Sequence, residues 1–273
     1  MNKQKTGTRI LLCLTVMLFT SSAFAYIPPS NFIIKNIAAK HAILKSGVRV
    51  KTEVSSQIAG KSEVKFKAVL LFDPNSRTLR AWATDANDRK IYQLERKTDT
   101  FTLADILAFE SRAGSIERSL KAAGVPVKTE EELLELPDET QRQQAELLSL
   151  SLKRYRGTQC WVIGRENEGD SALWIEKDSF FPLKLVLSKN ADSNIAEVQL
   201  DSYRFQNGFA FVTGLTLVGR ENTPLLREQT HDLIIGSVSN EYKAPVTSGF
   251  TEEGATAGDD VKELVNQYFK YVR

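Results

Sequence analysis

The stretch Ala172-Leu-Trp-Ile-Glu-Lys-Asp-Ser-Phe-Phe-Pro-Leu-Lys-Leu-Val-Leu187 decides the fold of this chain. It contains two apolar runs, 172–175 and 183–187, on either side of a polar break with Asp178 near its tip. Pro182 opens the second run. Two short apolar runs that flank a turn-forming segment predict a β-hairpin.

More strand-like runs lie on both sides of this hairpin. Alternation of apolar and polar residues predicts earlier strands at 48–51, 64–72, 79–84 and 90–94. The later runs, with the hairpin among them, are 158–165, 171–177, 183–189, 195–205, 209–220 and 225–235. The connections at 73–76 and 207–208 are short and rich in turn residues. Short connections indicate an antiparallel sheet, because parallel strands need crossover segments of about a dozen or more residues.

Apolar residues at helical spacing predict helices in three parts of the chain. They are 30–44 near the start, then 103–111, 115–123, 130–136 and 139–155 in the middle, and 259–272 at the end. Charged helices such as those predicted in the middle of the chain usually cover one face of a sheet or form a lid over its open end. The segment 245–258 is rich in small and polar residues and predicts a mobile loop.

Residues 1–25 have the order of charges typical of a secretory signal peptide. Three basic residues precede an apolar core over 10–19, and small residues end the segment at Ala25. We predict cleavage after Ala25, because this core is shorter than the roughly 20 apolar residues of a transmembrane helix. An uncleaved anchor is the alternative.

Removal of that segment changes the charge balance of the chain. The 36 basic and 34 acidic residues become 33 and 34, because the segment carries three basic residues and no acidic ones. The mature formal charge is then 33 − 34 = −1, and we predict no nucleic-acid partner.

Cys160 is the only cysteine outside residues 1–25, so the mature chain can form no intramolecular disulfide. Its stability must therefore come from a packed core, which a chain of this length can bury. The middle of the chain has no linker rich in Pro, Gly or Ser. We predict a single domain over 26–273 with a helical insertion at about 102–155.

Residues suited to catalysis or metal binding form no motif. His41 and His231 are the only histidines and are not spaced as a metal-binding pair. His41 lies on the apolar face of a predicted helix, where a structural histidine is the simpler interpretation. Cys160 and His231 are conceivable as nucleophile and base, but Cys160 lies in an apolar strand, where a buried and unreactive thiol is expected. We predict no catalytic residues, no metal, no cofactor and no enzymatic activity.

The hairpin residues Leu173-Trp-Ile-Glu-Lys-Asp178 and Pro182-Leu-Lys-Leu185, preceded by the strand 156–163, resemble the LolA-like periplasmic proteins. The resemblance implies an α+β fold in which a strongly curved antiparallel sheet, an incomplete β-barrel, has helices over its open face. It also implies a periplasmic location. The tip departs from the usual pattern, because Ser179-Phe180-Phe181 stands where a Thr-Gly pair is usual. The helical insertion is also longer than in the compact lipoprotein carriers.

The resemblance implies a carrier that shields a lipid, or the acyl chains of a lipoprotein, for transfer to the outer membrane. It implies a membrane-associated donor or acceptor protein as partner and a monomeric carrier. The hairpin motif is shared by the sensor domain of periplasmic regulators of anti-sigma factors. The alternative hypothesis is therefore a non-catalytic periplasmic protein-interaction or sensor module on the same fold.

A concave apolar sheet suits acyl chains, because burial contributes about 25 cal/mol per Å² without specific polar partners. We predict that strand aromatics and leucines line such a cavity, namely Phe66, Leu70, Phe72, Trp82, Trp161, Trp174, Phe209 and Phe211. Alternation does not say which face is concave, and the alternative is that the helices fill the space entirely.

Overall fold

The structure, a computed structural model, describes residues 28–57, 62–127, 132, 134–135, 137–138, 141, 150–165, 171–188, 195–236 and 246–273. The predicted signal peptide therefore lies outside the described residues, as does most of the chain between 128 and 149. Glu132, Leu134 and Gln141 are described and helical, in agreement with the helices predicted there.

Twelve strands form one sheet in the described part of the chain. The strands before the helical segment are β1 (Val48–Ser56), β2 (Lys65–Asp73), β3 (Thr78–Thr84) and β4 (Lys90–Lys97). The later strands are β5 (Leu150–Tyr155), β6 (Thr158–Ile163), β7 (Ala172–Glu176), β8 (Pro182–Val186), β9 (Ile195–Gln206), β10 (Phe209–Gly219), β11 (Pro224–Ile235) and β12 (Gly249–Phe250). The helices are α1 (Ser30–His41), α2 (Leu103–Phe109), α3 (Ala113–Ala122), α4 (Glu252–Ala255) and α5 (Asp259–Tyr271), with a 3₁₀ turn at Thr98–Thr100.

The sheet consists of two antiparallel meanders joined at β1. Its order is β12-β4-β3-β2-β1-β11-β10-β9-β8-β7-β6-β5, and every pairing of neighbours is antiparallel. Val50 of β1 lies opposite Leu70 of β2 on one side and Leu233 of β11 on the other. The two outermost strands, β12 and β5, do not pair with each other, so the sheet is open. The predicted fold class, an open antiparallel sheet with helices, is confirmed.

One face of the sheet supplies a single hydrophobic core. In β2 the buried residues Phe66, Ala68 and Leu70 alternate with the more exposed Lys65, Lys67 and Val69, as the period of two predicts, whereas Leu71 and Phe72 are both buried. Apolar residues from β1 through β11 belong to the same core cluster, so the sheet curves around one interior. The helices cover this concave face with Ile33 and Ile37 of α1, Ile106 and Phe109 of α2, Ile116 and Leu120 of α3, and Leu264, Val265 and Phe269 of α5.

The predicted helix over 139–155 is wrong at its end, because residues 150–155 form strand β5. This strand pairs antiparallel with β6, from Leu150 opposite Ile163 to Tyr155 opposite Thr158. The turn between them is Arg156-Gly157, with φ angles of 48° and 86°. Two consecutive left-handed residues are the signature of a type I′ hairpin turn. The turn therefore overrides the helical spacing of the residues before it.

The segment 245–258 was predicted as a mobile loop, and that prediction is also wrong in part. It contains β12, which pairs with β4, and the one-turn helix α4. Thr251 caps α4 by accepting a hydrogen bond from the backbone N–H of Gly254 at 3.1 Å. A Cβ at Gly254 would collide with the backbone carbonyl of Ile91, so only glycine permits this packing of α4 on β4.

Replacement of Gly157 tests the corrected hairpin. Gly157→Ala is expected to lower the free energy of unfolding by about 1–2 kcal/mol, because a side chain disfavours the left-handed conformation. A Cβ at this position meets no other atom within 4 Å, so backbone strain is the only cost. Urea denaturation of both proteins measures the difference. Gly114→Ala is the control, because Gly114 is equally uncrowded but lies in α3. It should leave stability unchanged or slightly higher, and equal losses in the two variants would contradict the turn.

Candidate functional site

The concave face of the sheet is the candidate site, and it holds six of the eight predicted lining residues. Those six are buried in the main core cluster: Phe66, Leu70, Phe72, Trp161, Phe209 and Phe211. They lie under the helices rather than around an open space. Phe109 of α2, for example, stacks on Phe72 with ring centroids 4.7 Å apart and lies 5.6 Å from Phe211.

Trp82 and Trp174 lie on the opposite face of the sheet, so the prediction that they line the concave face is wrong. Trp82 stands between Ala81 and Ala83, which face the core. Trp174 stands between Leu173 and Ile175, which also face the core, and it packs in a separate outer cluster with Cys160, Val162 and Ala172. Strand alternation fixes these positions, because neighbouring side chains point to opposite faces.

A small apolar cavity of about 110 Å³ lies between α2 and the concave face. Its walls are Leu103, Ala104 and Leu107 of α2, Ala123, Tyr271 and the sheet residues Leu185, Leu187, Ile195, Val198, Leu200 and Leu217. Ligand pockets for molecules of drug size usually measure about 300–1,000 Å³. In this closed arrangement the cavity is therefore too small for a complete acyl chain, and α2 is the part of the helical layer that covers it.

The N-terminal end of α2 is attached to a buried ionic cluster. Thr102 caps the helix by accepting a hydrogen bond from the backbone N–H of Asp105 at 3.1 Å, and its hydroxyl donates to the carbonyl of Val272 at 2.9 Å. Asp105 itself is fully buried, with Nη1 of Arg273 at 3.5 Å and Nη1 of Arg96 at 4.0 Å from its carboxylate. The first turn of α2 is thus held to the end of α5 and to β4.

Arg273 is the centre of that cluster. Its side chain is fully buried, it donates a hydrogen bond to Oε1 of Glu228 at 3.2 Å, and its guanidinium lies 5.4 Å from the ring centroid of Phe211. Burial raises the pKa of Asp105 to about 6, although Arg273 and Arg96 act in the opposite direction. The buried Arg273 and the partly exposed Arg96 therefore balance two buried carboxylates at the edge of an apolar core, where an unpaired charge is very costly.

The C-terminal end of α2 is attached to a second set of charges. The carboxylate of Glu110, directly after α2, is fully buried and accepts hydrogen bonds from Arg77 and from the backbone N–H of Arg112, the latter at 2.8 Å. Arg77 also donates to Thr98 at 3.1 Å. The backbone carbonyl of Glu110 accepts a hydrogen bond from Nδ1 of His41 at 3.0 Å.

A polar pocket of about 340 Å³ lies beside these charges. Its lining includes His41 and Lys45 from the end of α1, Pro74 and Arg77 from the β2–β3 turn, and Glu110. Burial lowers the pKa of His41 to about 4, so its imidazole is neutral at neutral pH. Nδ1 of His41 donates to a backbone carbonyl, and the carboxylate of Glu110 is paired with arginines. These contacts beside the pocket therefore hold the C-terminal end of α2 in place.

Sequence reasoning did not single out Asp105, Glu110, Glu228 or Arg273. The position of Asp105 three residues after Thr102 was one available signal, because acidic residues in a first helical turn favour the helix. The pairing of Arg273 with Glu228 spans 45 residues of the chain and carries no local pattern. These residues become visible only when β11 and α5 meet in the fold.

The structure does not bring Cys160 and His231 together. They lie on β6 and β11, five strand-to-strand steps apart, which is roughly 24 Å along the sheet at about 4.8 Å a step. Cys160 is buried in the outer cluster and burial raises the pKa of its thiol, whereas His231 is exposed. Among the residues that the structure describes, no group of three or more His, Cys, Asp and Glu side chains could hold a metal ion. No described helix is long and apolar enough to cross a membrane.

No protein-family model matches this chain, and no curated protein matches it either. Among solved structures it is similar to a LolA superfamily protein from Nitrosomonas europaea, with 9% identity, a TM-score of 0.48 and coverage of 80% of this chain and 99% of the other. A domain named for outer membrane lipoprotein sorting, from Vibrio parahaemolyticus, has 11% identity and a TM-score of 0.48, with coverage of 78% of this chain and 95% of the other. The MucA/MucB complex of Pseudomonas aeruginosa has 10% identity and a TM-score of 0.31, with coverage of 81% of this chain and 62% of the other.

The first of these structures carries the superfamily name that the hairpin resemblance predicted, and the second is named for outer membrane lipoprotein sorting. With identities near 10% and TM-scores below 0.5, these similarities say nothing about ligand, partner or activity. The fold class of this chain is established by its own sheet order, and its site by its own residues.

Replacement of Arg273 tests the ionic cluster. Arg273→Met is expected to lower the free energy of unfolding by about 3–5 kcal/mol, because it leaves Asp105 and Glu228 buried without their shared cation. Guanidinium denaturation measures the change. Arg118→Met is the control, since Arg118 is exposed on α3, and it should change stability by no more than about 0.5 kcal/mol. Similar effects of the two substitutions would contradict a cluster held by Arg273.

The buried His41 predicts a specific pH dependence of stability. The folded pKa of about 4 lies below the unfolded value of 6.5, so the unfolded chain binds the proton first as the pH falls. Wild type should therefore lose stability relative to His41→Gln between pH 6.5 and 4, by up to about 3 kcal/mol. Denaturation of both proteins across this range measures the contribution of His41 alone. Asp105 titrates in the same pH range, but it does so in both proteins and its contribution cancels in the difference. Parallel pH profiles would show that His41 is not buried in neutral form.

Proposed function

We propose that this protein binds an acyl chain of a lipid or lipoprotein between its concave sheet and α2, and shields the chain from water during transfer to the outer membrane. In this proposal the protein acts in the periplasm, to which its predicted signal peptide would direct it. The observation that carries the proposal is the apolar cavity of about 110 Å³ beneath α2.

The cavity offers a starting point for an acyl chain rather than a complete site. Ten of its eleven lining residues are Ala, Leu, Ile or Val, and the eleventh is Tyr271. A hydrocarbon chain needs no hydrogen-bond partner in such surroundings, whereas a polar ligand would leave its own groups unsatisfied. The chemistry of the walls thus favours an alkyl chain, and the volume requires that α2 move to admit it.

The energies involved make that movement feasible. An acyl chain with about fifteen CH₂ groups gains about 12 kcal/mol when it is fully buried, at about 0.8 kcal/mol per group. Exposure of Leu103 and Leu107 of α2 would cost about 3–6 kcal/mol at about 1.5–3 kcal/mol per side chain. A bound chain can therefore offset the loss of these two contacts while Ile106 and Phe109 of α2 stay packed in the core.

Different residues of α2 make its apolar and its charged contacts, in a way that suits this role. Leu103, Ala104 and Leu107 roof the cavity, while charged contacts hold Asp105 in the first turn and Glu110 directly after the helix. A chain that enters beneath the helix competes with the apolar contacts and leaves the second attachment, at Glu110, in place. In this mechanism α2 moves about its attachment at Glu110, and no chemical reaction is needed.

Native mass spectrometry of protein purified from the periplasm tests the proposal directly. We expect a co-purified lipid that is released by organic extraction, and we expect the extracted protein to bind a fluorescent fatty acid in titration. A protein that carries no lipid and binds no fatty acid would contradict the carrier function. That result would favour the protein-interaction module of the alternative hypothesis. We further predict that a membrane-associated protein donates or accepts the lipid and that the carrier is a monomer.

Filling the cavity provides a site-specific test. Ala104→Leu adds three carbon atoms inside the cavity, and we expect it to lower the affinity for the fatty acid about tenfold, or about 1.4 kcal/mol. Ala122→Leu is the control, because Ala122 is exposed on α3 and adds the same atoms to the surface. Circular dichroism and thermal unfolding confirm that both variants fold. Equal affinities for the two folded variants would place the ligand elsewhere.

A further inference from the structure

Four phenylalanines form a surface patch at the hairpin tip that the proposed interior site does not use. This aromatic patch consists of Phe180 and Phe181 at the β7–β8 tip, Phe32 of α1 and Phe205 of β9. Phe32 meets Phe180 edge to face with ring centroids 6.0 Å apart, and Phe181 lies 5.3 Å from Phe205. Phe32 is 46% exposed and Phe205 is 64% exposed, whereas Phe181 is buried and Phe180 is partly buried, so the last two rings form the base against which the exposed rings pack. Exposed large apolar side chains that share such a base indicate a contact surface.

The hairpin tip holds Phe180 in an unusual backbone conformation. Its φ angle is 56°, which is the left-handed region that favours glycine. The tip is fixed by hydrogen bonds from the backbone N–H of Phe180 to the carbonyl of Glu176 at 2.9 Å and from that of Glu176 to the carbonyl of Phe181 at 2.8 Å. The fold therefore holds a bulky aromatic residue against α1 where a glycine would be less strained. Strained residues of this kind cluster at functional surfaces.

Basic residues surround the aromatic patch. The ammonium of Lys40 lies 4.5 Å from the ring centroid of Phe181, and Lys177 stands at the tip, 6.0 Å from the ring centroid of Trp161. Lys35 follows Phe32 by three residues on α1 and is exposed, so both side chains lie on one side of the helix. The acidic residues of the hairpin tip are Glu176 and Asp178, so the three lysines against these two acids give a formal charge of 3 − 2 = +1. The patch is thus positive, whereas the mature chain as a whole has the opposite sign.

We propose that the aromatic patch docks the protein on the surface of an anionic phospholipid bilayer. Phe32 and Phe205 would enter the boundary between headgroups and acyl chains, while Lys40 and Lys177 would contact lipid phosphates. Apolar area and attraction to anionic lipids together determine binding of this interfacial kind. The patch has both components on one surface. This docking is independent of the interior site, because none of the four rings lines the cavity beneath α2.

Vesicle flotation tests the docking with the full mature chain. Vesicles of phosphatidylglycerol and phosphatidylcholine in equal parts should carry wild type upward at low salt, and vesicles of phosphatidylcholine alone should carry much less. Binding should also weaken as salt is added, because salt screens the attraction to phosphates. Absence of binding to the anionic vesicles, or equal binding to both kinds, would overturn the proposal.

Matched variants locate the docking surface. Phe32→Ser with Phe205→Ser is expected to lower partition into anionic vesicles about tenfold, because it removes the two exposed rings. Leu152→Ser with Ile234→Ser is the control, since these side chains are 42% and 36% exposed outside the patch. A greater loss in the control would overturn the proposal. The single variant Phe205→Ser repeats the test with the most exposed ring of the patch if the double variant does not fold.

A second pair of variants tests the charges. Lys40→Gln with Lys177→Gln should reduce binding to anionic vesicles several-fold, whereas Lys65→Gln with Lys67→Gln, on the exposed side of β2, should not. Equal losses in the two pairs would contradict a local role for Lys40 and Lys177.

Sedimentation velocity of wild type tests whether the aromatic patch binds a second copy of the chain instead. Self-association that disappears in Phe205→Ser, without vesicle binding by wild type, would assign the patch to a second copy of this chain and overturn the lipid proposal.

Discussion

The antiparallel pairing of β1 with β11 is the constraint on which the rest of the structure depends. It joins a meander from the first part of the chain to one from the last part and so creates a twelve-stranded sheet. A sheet of this width that curves around one apolar interior must cover that interior, and four helices do so. The position of α2 over β8 to β10, and of Arg273 beside Glu228, follows from this single connection.

The same arrangement separates apolar from charged contacts along α2. Leu103, Ala104 and Leu107 roof an apolar cavity, whereas Asp105 meets the Arg273 cluster and the residue after the helix forms the Glu110 network. Buried charges that are balanced by partners fix position more than they add stability. Apolar contacts, in contrast, are exchangeable for those of a hydrocarbon ligand at little cost. This division makes α2 the element beneath which an acyl chain can enter without unfolding the sheet.

The sequence predicted most of the strands, their antiparallel pairing and the helical cover, because periods of two and of three to four residues are local properties. It did not predict β5, where the Arg156-Gly157 turn decides the conformation of the residues before it. Six of the eight predicted lining residues lie in the main core cluster, but none of the eight lines the cavity beneath α2. Trp82 and Trp174 lie on the outer face because alternation along a strand does not say which of its faces is concave. The buried charges depend on contacts between distant segments, which no local pattern contains.

Hydrogen exchange of the extracted protein, with and without a fatty acid, tests the central claim most directly. The amide of Ile106 bonds to the carbonyl of Thr102 at 3.0 Å and reports on the first turn of α2. Bound fatty acid should make this amide exchange faster, while the amides of β9 and β10 below it stay protected, as does the amide of Glu110, which bonds to the carbonyl of Ile106. Unchanged or slower exchange in the first turn of α2 at saturating fatty acid would contradict entry of the chain beneath this helix.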